Sequence, residues 1–502
     1  MRTLLVTARL TEGRVKRLAE RLKGYDVFVG DSDVAACLPP EQLITYMRDR
    51  SYDRIIVPGM ISWDLDKIEE EIGAKVFKGP KDVADLEFVL KNIKEIKLSK
   101  DTPACELLKE KMRTKALEEI KEVDTEEYKD RMLENPCNIL VGDIPVGPDF
   151  PIRVLAEIVD AARLKTDVLK KRAEYFIESG VDILDIGVNE KDPDGVGSAI
   201  EALREYKIPL SIDTMEEKNI KKALDCGIDM IMSFDHGLLN QFRDIETPAV
   251  VIPKKETIPK DYNKKIKILE ENIKLARDRG FKNIIADLIL EPVNLGFADS
   301  VTAYKIFSNT HKMPLLLGIG NVTELMDADS VGINAVLSGI AMECNASIVF
   351  TPEHSDKAKG STEELATASK MMYLAKKRGS TPKDLGIDLL RLKEKRIRRD
   401  DFNEELYKNT QVLQANMIEG HDYDPKGYFK IFVDDEIKAV HYKDEEPKLV
   451  IRGNSAKEIS DTMFSLSLVS DISHALYLGR ELLKAETALK TGKSYVQDKE
   501  IF

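Results

Sequence analysis

Gly180-Val-Asp-Ile-Leu-Asp-Ile-Gly187, Ile208-Pro-Leu-Ser-Ile-Asp-Thr214 and Ala223-Leu-Asp-Cys-Gly-Ile-Asp-Met-Ile231 decide how the middle of the chain is read. Each carries a short run rich in Ile and Leu, and charged helical sequence lies between them. Short apolar runs alternating with helices read as parallel strands buried on both faces. The pattern recurs at Asn138–Val141, Asp182–Ile186, Leu210–Ile212, Met230–Met232, Ala249–Ile252, Asn283–Ala286, Leu315–Leu317 and Ser347–Phe350. Eight such repeats are the count of a closed βα barrel, whose chemistry sits at the C-terminal ends of the strands. Polar residues fall at those ends: Asp143, Asp185 with Asn189, Asp213, Ser233 with Asp235, Asp287 and Asn321. Any one of them is equally well explained as a helix cap. A recurrence over several strand ends favours a site.

Working outward, residues 1–95 alternate apolar runs (Leu4–Val6, Asp26–Val29, Arg54–Val57, Ala74–Phe77) with helical stretches. They predict a small parallel α/β domain of flavodoxin or Rossmann type. No G-x-G-x-x-G follows its first strand, so a dinucleotide site is unsupported. The Pro58-Gly59-Met60 turn reads first as a tight turn and only second as a pocket wall. Residues 96–135 are a charged helical connector, and the barrel is expected over 136–405. From 410 to 502 the runs Tyr428–Val433, Ile437–Tyr442 and Leu449–Ile451 predict an antiparallel meander, followed by one long helix from Ser455 to Lys490. The C-terminal part is therefore α+β. His474, in Ser473-His-Ala-Leu-Tyr-Leu-Gly-Arg480, reads as an ordinary helical histidine rather than a metal ligand.

The chain has 502 residues, enough for several cores, with 76 basic and 89 acidic side chains and a net charge of −13. A pI near 5.3 argues against a general affinity for nucleic acid or anionic lipid. With 43% hydrophobic residues and a mean hydropathy of −0.28, it reads as a globular chain. No apolar run is long enough to span a bilayer, and the first residues lack a signal-peptide pattern. Five scattered cysteines and six scattered histidines form no C-x-x-C pair and no metal motif, which predicts neither disulfides nor zinc. A reducing, cytoplasmic setting is expected. Lys and Glu dominate the 33% charged residues, a composition met in proteins of hyperthermophiles.

The three motifs quoted first resemble the pterin-binding TIM barrel superfamily, which holds dihydropteroate synthases and tetrahydropterin-dependent methyltransferases. The three-part chain as a whole is similar to the archaeal dihydropteroate synthase-related proteins. The resemblance implies a reduced pterin, tetrahydromethanopterin or a tetrahydrofolate derivative, bound at the barrel mouth. It places Asp213, Asp287 and Asn321 on the pterin, with Asp143, Asp185 and Ser233 as further candidates. The chemistry suits such a ligand. Carboxylates accept from the N–H groups of the pyrimidine edge, Asn offers a donor and an acceptor, and apolar walls hold the flat ring.

The two branches differ in the second half of the barrel. A synthase displaces diphosphate and needs cations after the seventh and eighth strands. This chain has Gly318-Ile-Gly-Asn-Val-Thr323 and Phe350-Thr-Pro-Glu-His354 there, with no Arg or Lys. Asp287-Leu-Ile-Leu-Glu-Pro292, Gly318–Thr323 and Gly332-Ile-Asn334-Ala-Val-Leu337 are closer to the methyltransferase pattern, in which Asn321 is expected at pterin N5 as the catalytic residue. One departure is Ile231-Met-Ser233, where the resemblance expects Ile-Asn. Methyl transfer implies a strong acceptor. The corrinoid signature Asp-x-His-x-x-Gly is absent, so a corrinoid is expected on a partner protein. A homodimer is also implied. Two other readings stay open: a synthase-type condensation in methanopterin or folate biosynthesis, and a pterin-binding scaffold without catalysis.

Overall fold

The computed structural model describes residues 2–395, 408–416 and 424–502. The chain forms two compact units, Met1–Lys395 and Arg396–Phe502. The barrel limit expected at residue 405 lies outside the described residues.

The larger unit opens with a four-stranded parallel sheet of β1 (Thr3–Ala8), β2 (Tyr25–Gly30), β3 (Arg54–Val57) and β4 (Lys75–Lys78). Its order is β2-β1-β3-β4. The connector carries helices Ala104–Leu107, Lys109–Glu122 and Glu126–Leu133. It is not simply solvated. Ala116 packs among Met371, Leu374, Ala375 and Leu385 of the barrel's last helical layer, and Met112 joins Val89 and Leu108 beneath the first sheet. Arg378 at the end of helix Ser361–Arg378 meets the buried Asp85 at 3.2 Å, so a buried ion pair crosses from sheet to barrel.

Two further strands, β5 (Ile139–Val141) and β6 (Ile144–Val146), precede the barrel. The barrel closes in the order β10-β11-β12-β13-β14-β7-β8-β9. Its strands are β7 (Arg153–Ile158), β8 (Ile183–Gly187), β9 (Leu210–Asp213), β10 (Met230–Phe234), β11 (Ala249–Val251), β12 (Ile284–Asp287), β13 (Leu315–Gly318) and β14 (Ile348–Thr351), all paired in parallel. The architecture is therefore the expected closed βα barrel of eight strands, but its first strand is not the expected one. The run around Ile139–Val141 pairs antiparallel with β6 as a hairpin. The reason is local: Gly142 takes φ 58° at the first position of a two-residue turn, a place that favours glycine. Val141 and Val146 are fully buried against Leu155, Ile183, Met230, Val250 and Ile348, and Arg153 donates to Pro145 O at 2.9 Å. The hairpin thus plugs the N-terminal end of the barrel.

The smaller unit contains β15 (Tyr428–Val433), β16 (Ile437–Lys443) and β17 (Glu446–Gly453) as an antiparallel meander. Instead of one long helix there are two, Ala456–Ser465 and Ile472–Thr491. Ser467 at φ 52° ends the first, and the Asp471 side chain caps the second by accepting from His474 N. The His474 ring meets the buried Asp424 at 3.2 Å, so it ties the residues just before β15 to the second helix. Among the described residues no helix is long and apolar enough to cross a membrane, and no disulfide forms.

The plug sets a prediction. Val146→Ala should cost about 2 kcal/mol in urea unfolding through the cavity it leaves. Asp143→Ala, exposed in the hairpin turn, should stay within about 0.5 kcal/mol and leave ligand binding unchanged.

Candidate functional site

The C-terminal ends of β7, β8 and β9 carry the acids. Side chains alternate along a strand, and parallel pairing sets Glu157 beside Asp185, Asp185 beside Ser211, and Gly187 beside Asp213. Glu157, Asp185, Ser211 and Asp213 therefore share the inner wall. Gly187 makes room for this, because a Cβ there would overlap the Glu157 carboxyl. Asp185 is fully buried and accepts from Ser211 Oγ, while its Oδ2 has no partner. Burial, then the charges of Asp213 and Glu157, pushes its carboxyl well above the usual range. Burial, followed by Asp213 and Asp160, raises Glu157 to about 7. Asp213 is raised by burial and partly restored by the Ser233 hydroxyl.

Ser233 reaches that position by an irregular backbone. The β10–β11 register shifts between Ile231 and Phe234, and Ser233 sits at φ 65°. A β-bulge of this kind re-aims a side chain. Asparagine, which the resemblance expects here, tolerates this conformation better than serine.

The opposite wall is built around β12. Asp287 Oδ1 accepts from Ile289 N at 2.7 Å and from the buried Tyr304 hydroxyl, which also lies 3.0 Å from Leu316 O. Burial raises the Asp287 carboxyl to about 6, against the Tyr304 hydrogen bond, which lowers it. Ile289 has φ 61°, an outlier for a β-branched residue that costs about 1–3 kcal/mol. Neighbours hold it there. The buried Lys265 donates to Ile289 O at 3.1 Å and to Glu291 Oε1 at 2.8 Å. Asn321 Nδ2 donates to Leu290 O at 2.9 Å. Between the two polar walls, Met232, Ile252, Ile289 and Phe350 supply an apolar lining. Asp287 also feels the charge of Asp213, so the walls face one electrostatic space.

The loop after β14 is closed by its own acids. Glu353, at φ 43°, accepts from Gly360 N at 2.6 Å, from Thr362 N at 2.9 Å and from Thr362 Oγ1 at 2.7 Å, and it also accepts from Tyr175. Glu324 takes the amides of His354 and Ser355 at 2.7 and 3.1 Å. The start of helix Ser361–Arg378, which in a barrel of this kind is a ready place for phosphate, already holds a carboxylate.

Of the residues the sequence singled out, Asp185, Asp213 and Ser233 lie together on one wall, and Asp287 and Asn321 lie on the other. Asp185 is beneath the surface, in contact with Ser211. Asp143 is a correction: the hairpin carries it to the opposite end of the barrel, because β7 and not β5 is the first barrel strand. Asp235 caps Leu238 N at 2.9 Å, and Asn334 links Thr323 to Glu364, so both are structural. Glu157, Tyr304, Lys265 and Glu353 were missed. An acid inside the apolar run Leu155-Ala-Glu-Ile158 was the available signal for the first, while nothing in the helical sequence around Lys265 marks it. Among the described residues no cluster could hold a metal ion.

Glu157 holds its proton more tightly in the folded chain than the ordinary ~4.3 of an exposed glutamate. Its contribution to stability is full below that range and is lost as pH rises through about 7. Glu157→Gln should therefore match the parent near pH 4 and exceed it by about 1–3 kcal/mol at pH 8, read from urea midpoints at the two pH values.

A family model described as pterin binding enzyme matches residues 158–329, and one described as PterinBD-DUF4346 matches residues 423–498. An uncharacterized protein of Methanocaldococcus jannaschii is 41% identical, over 100% of this chain and 99% of its own length. Among solved structures, a Yersinia pestis dihydropteroate synthase with a pterine-sulfa conjugate is 17% identical with a TM-score of 0.39, covering 48% of this chain and 99% of its own. A Xanthomonas albilineans dihydropteroate synthase in complex with 7,8-dihydropteroate is 20% identical with a TM-score of 0.37, over 46% and 96%. The relative aligned end to end shows the family, and the barrel carries a matching segment: the chain belongs to the family of the Methanocaldococcus jannaschii protein, and its residues 158–329 match the pterin binding enzyme model.

Proposed function

We propose that the barrel binds a reduced pterin, tetrahydromethanopterin or a tetrahydrofolate derivative, and transfers its N5-methyl group to a nucleophile carried by a partner, such as a reduced corrinoid. Asp213 and Asp287 accept from the pyrimidine N–H groups, and Asn321 faces N5. Glu157 and Asp185 sit behind Asp213 and adjust its charge, and Ser233 orients it. In the transfer the N5–methyl bond breaks, its electron pair stays on N5, and the methyl group passes to the acceptor. A hydrogen bond from Asn321 or a proton at N5 stabilises the developing charge.

The observation that carries the choice of reaction is the Glu353 carboxylate. Diphosphate displacement needs free donors and cations near the leaving group. Here the amides of Gly360, Thr362, His354 and Ser355 are occupied by Glu353 and Glu324. The buried Lys265 is committed to Glu291. An anionic leaving group would meet carboxylates in their place.

Incubation with methyl-tetrahydromethanopterin and Co(I) cobalamin should produce the methyl-cobalt spectrum, and Asn321→Ala should slow it by about 10²-fold. Dihydropterin diphosphate with an aminobenzoate should give no condensation. Condensation without methyl transfer would reverse the assignment to synthase chemistry, and pterin binding without either reaction would indicate a scaffold. Glu353→Ala should free the helix amides, cost about 1 kcal/mol through the lost cap, and let inorganic diphosphate bind where the parent excludes it, as read by calorimetry.

A further inference from the structure

The first sheet has its own crevice. Its order β2-β1-β3-β4 means that the chain leaves β1 toward one edge and β3 toward the other. In open parallel sheets ligands bind at such a switch point, outside the carboxyl ends of the strands. A cavity of about 370 Å³ lies there, and the segments after all four strands line it: Leu10 and Thr11, Val34 to Ala36, Pro58 and Met60, and Pro80 to Val83. This volume falls within the range of small-molecule sites. Its floor is formed by Leu5, Val6, Ile56 and Val57. At its rim Leu10, Val34 and Met60 are 76%, 51% and 52% exposed, a cost in water that a bound apolar surface would remove.

The polar groups define what can enter. Lys81 has a side chain only 6% exposed and is paired with Glu106. Arg9 is paired with Asp31 and lies 3.5 Å from Asp33. The Asp82 carboxylate accepts from Ala84 N at 2.8 Å, where a phosphate could otherwise have sat. The cations are neutralised and two rim groups, Asp33 and Asp82, are acidic. Within the crevice, the Thr7 and Thr11 hydroxyls satisfy one another at 2.7 Å and can turn toward a heteroatom.

We propose that this crevice is a second small-molecule site, separate from the barrel mouth, which takes an uncharged, fused-ring heteroaromatic compound without phosphate. Apolar side chains cover the ring faces, the threonine hydroxyls meet ring heteroatoms, and the acidic rim accepts from ring N–H groups while repelling phosphorylated forms. The proposal is independent of the reaction assigned to the barrel.

Lumichrome, a neutral three-ring compound, serves as the probe for the full-length chain, with FMN as the phosphate-bearing counterpart. One equivalent of lumichrome should bind with quenched fluorescence, and FMN should bind at least about tenfold more weakly. Val34→Trp, at the exposed rim, and Ala36→Leu, deeper in, should each weaken lumichrome binding by about tenfold or more. Asp287→Ala, in the barrel, should leave it unchanged. Failure of lumichrome to bind, parent-like binding by both Val34→Trp and Ala36→Leu, loss of binding in Asp287→Ala, or tighter binding of FMN would each overturn the proposal.

Discussion

Three carboxyl groups forced onto one inner wall of a closed parallel barrel govern the rest of this molecule. Parallel register places Glu157 beside Asp185 and sets Asp213 across from Gly187, and closure keeps them inside the barrel, Asp185 fully buried and Glu157 and Asp213 partly so. Burial disfavours the charged form of each, and for Glu157 and Asp185 the neighbouring acids add to it, so the carboxyls of Glu157, Asp185 and Asp213 are all raised. A ligand rich in N–H donors relieves this conflict, because hydrogen bonds to an ionised carboxylate favour that form. The acid wall is thus a standing instability that the pterin edge of the proposed function would discharge.

Keeping such a wall in register demands rigid loops, and buried polar side chains provide them. Asn219 bridges Asp192 N, Glu190 O and Thr214 between the second and third βα loops. Asn272 does the same for Ile252 O and Lys254 O with His236. Asn334 and Glu364 join the last two helices beside the mouth. Lys265 and Asp287 hold Ile289 in its unfavourable conformation. Four of the non-glycine residues with positive φ, Asp160, Ser233, Ile289 and Glu353, lie in the segments around the mouth.

Much of this was legible in the sequence, for a physical reason. Strands buried on both faces must be nearly all apolar, so the runs from Asp182–Ile186 to Ser347–Phe350 stand out from the charged helices. Polar residues at their ends are then conspicuous, as with Asp213 and Asp287. The first strand failed because two apolar runs lie close together and only tertiary pairing decides between them. Asn138–Val141 folds back on Ile144–Val146, and that misplacement put Asp143 in the site and hid Glu157. The role of Glu353 was invisible because it lies in the amides of Gly360 and Thr362, which sequence spacing does not display. The Ser467 break was missed because a serine in left-handed conformation has no fixed local signature.

In the proposed complex, pterin N–H groups meet raised carboxyls at the mouth. Calorimetric titration with tetrahydromethanopterin or tetrahydrofolate near pH 7, repeated in buffers of different ionisation enthalpy, measures both binding and the protons exchanged. Binding accompanied by net proton release, with the release reduced in Asp213→Asn, is the predicted result. No binding of either pterin, or binding whose proton balance is unchanged by Asp213→Asn, would contradict it.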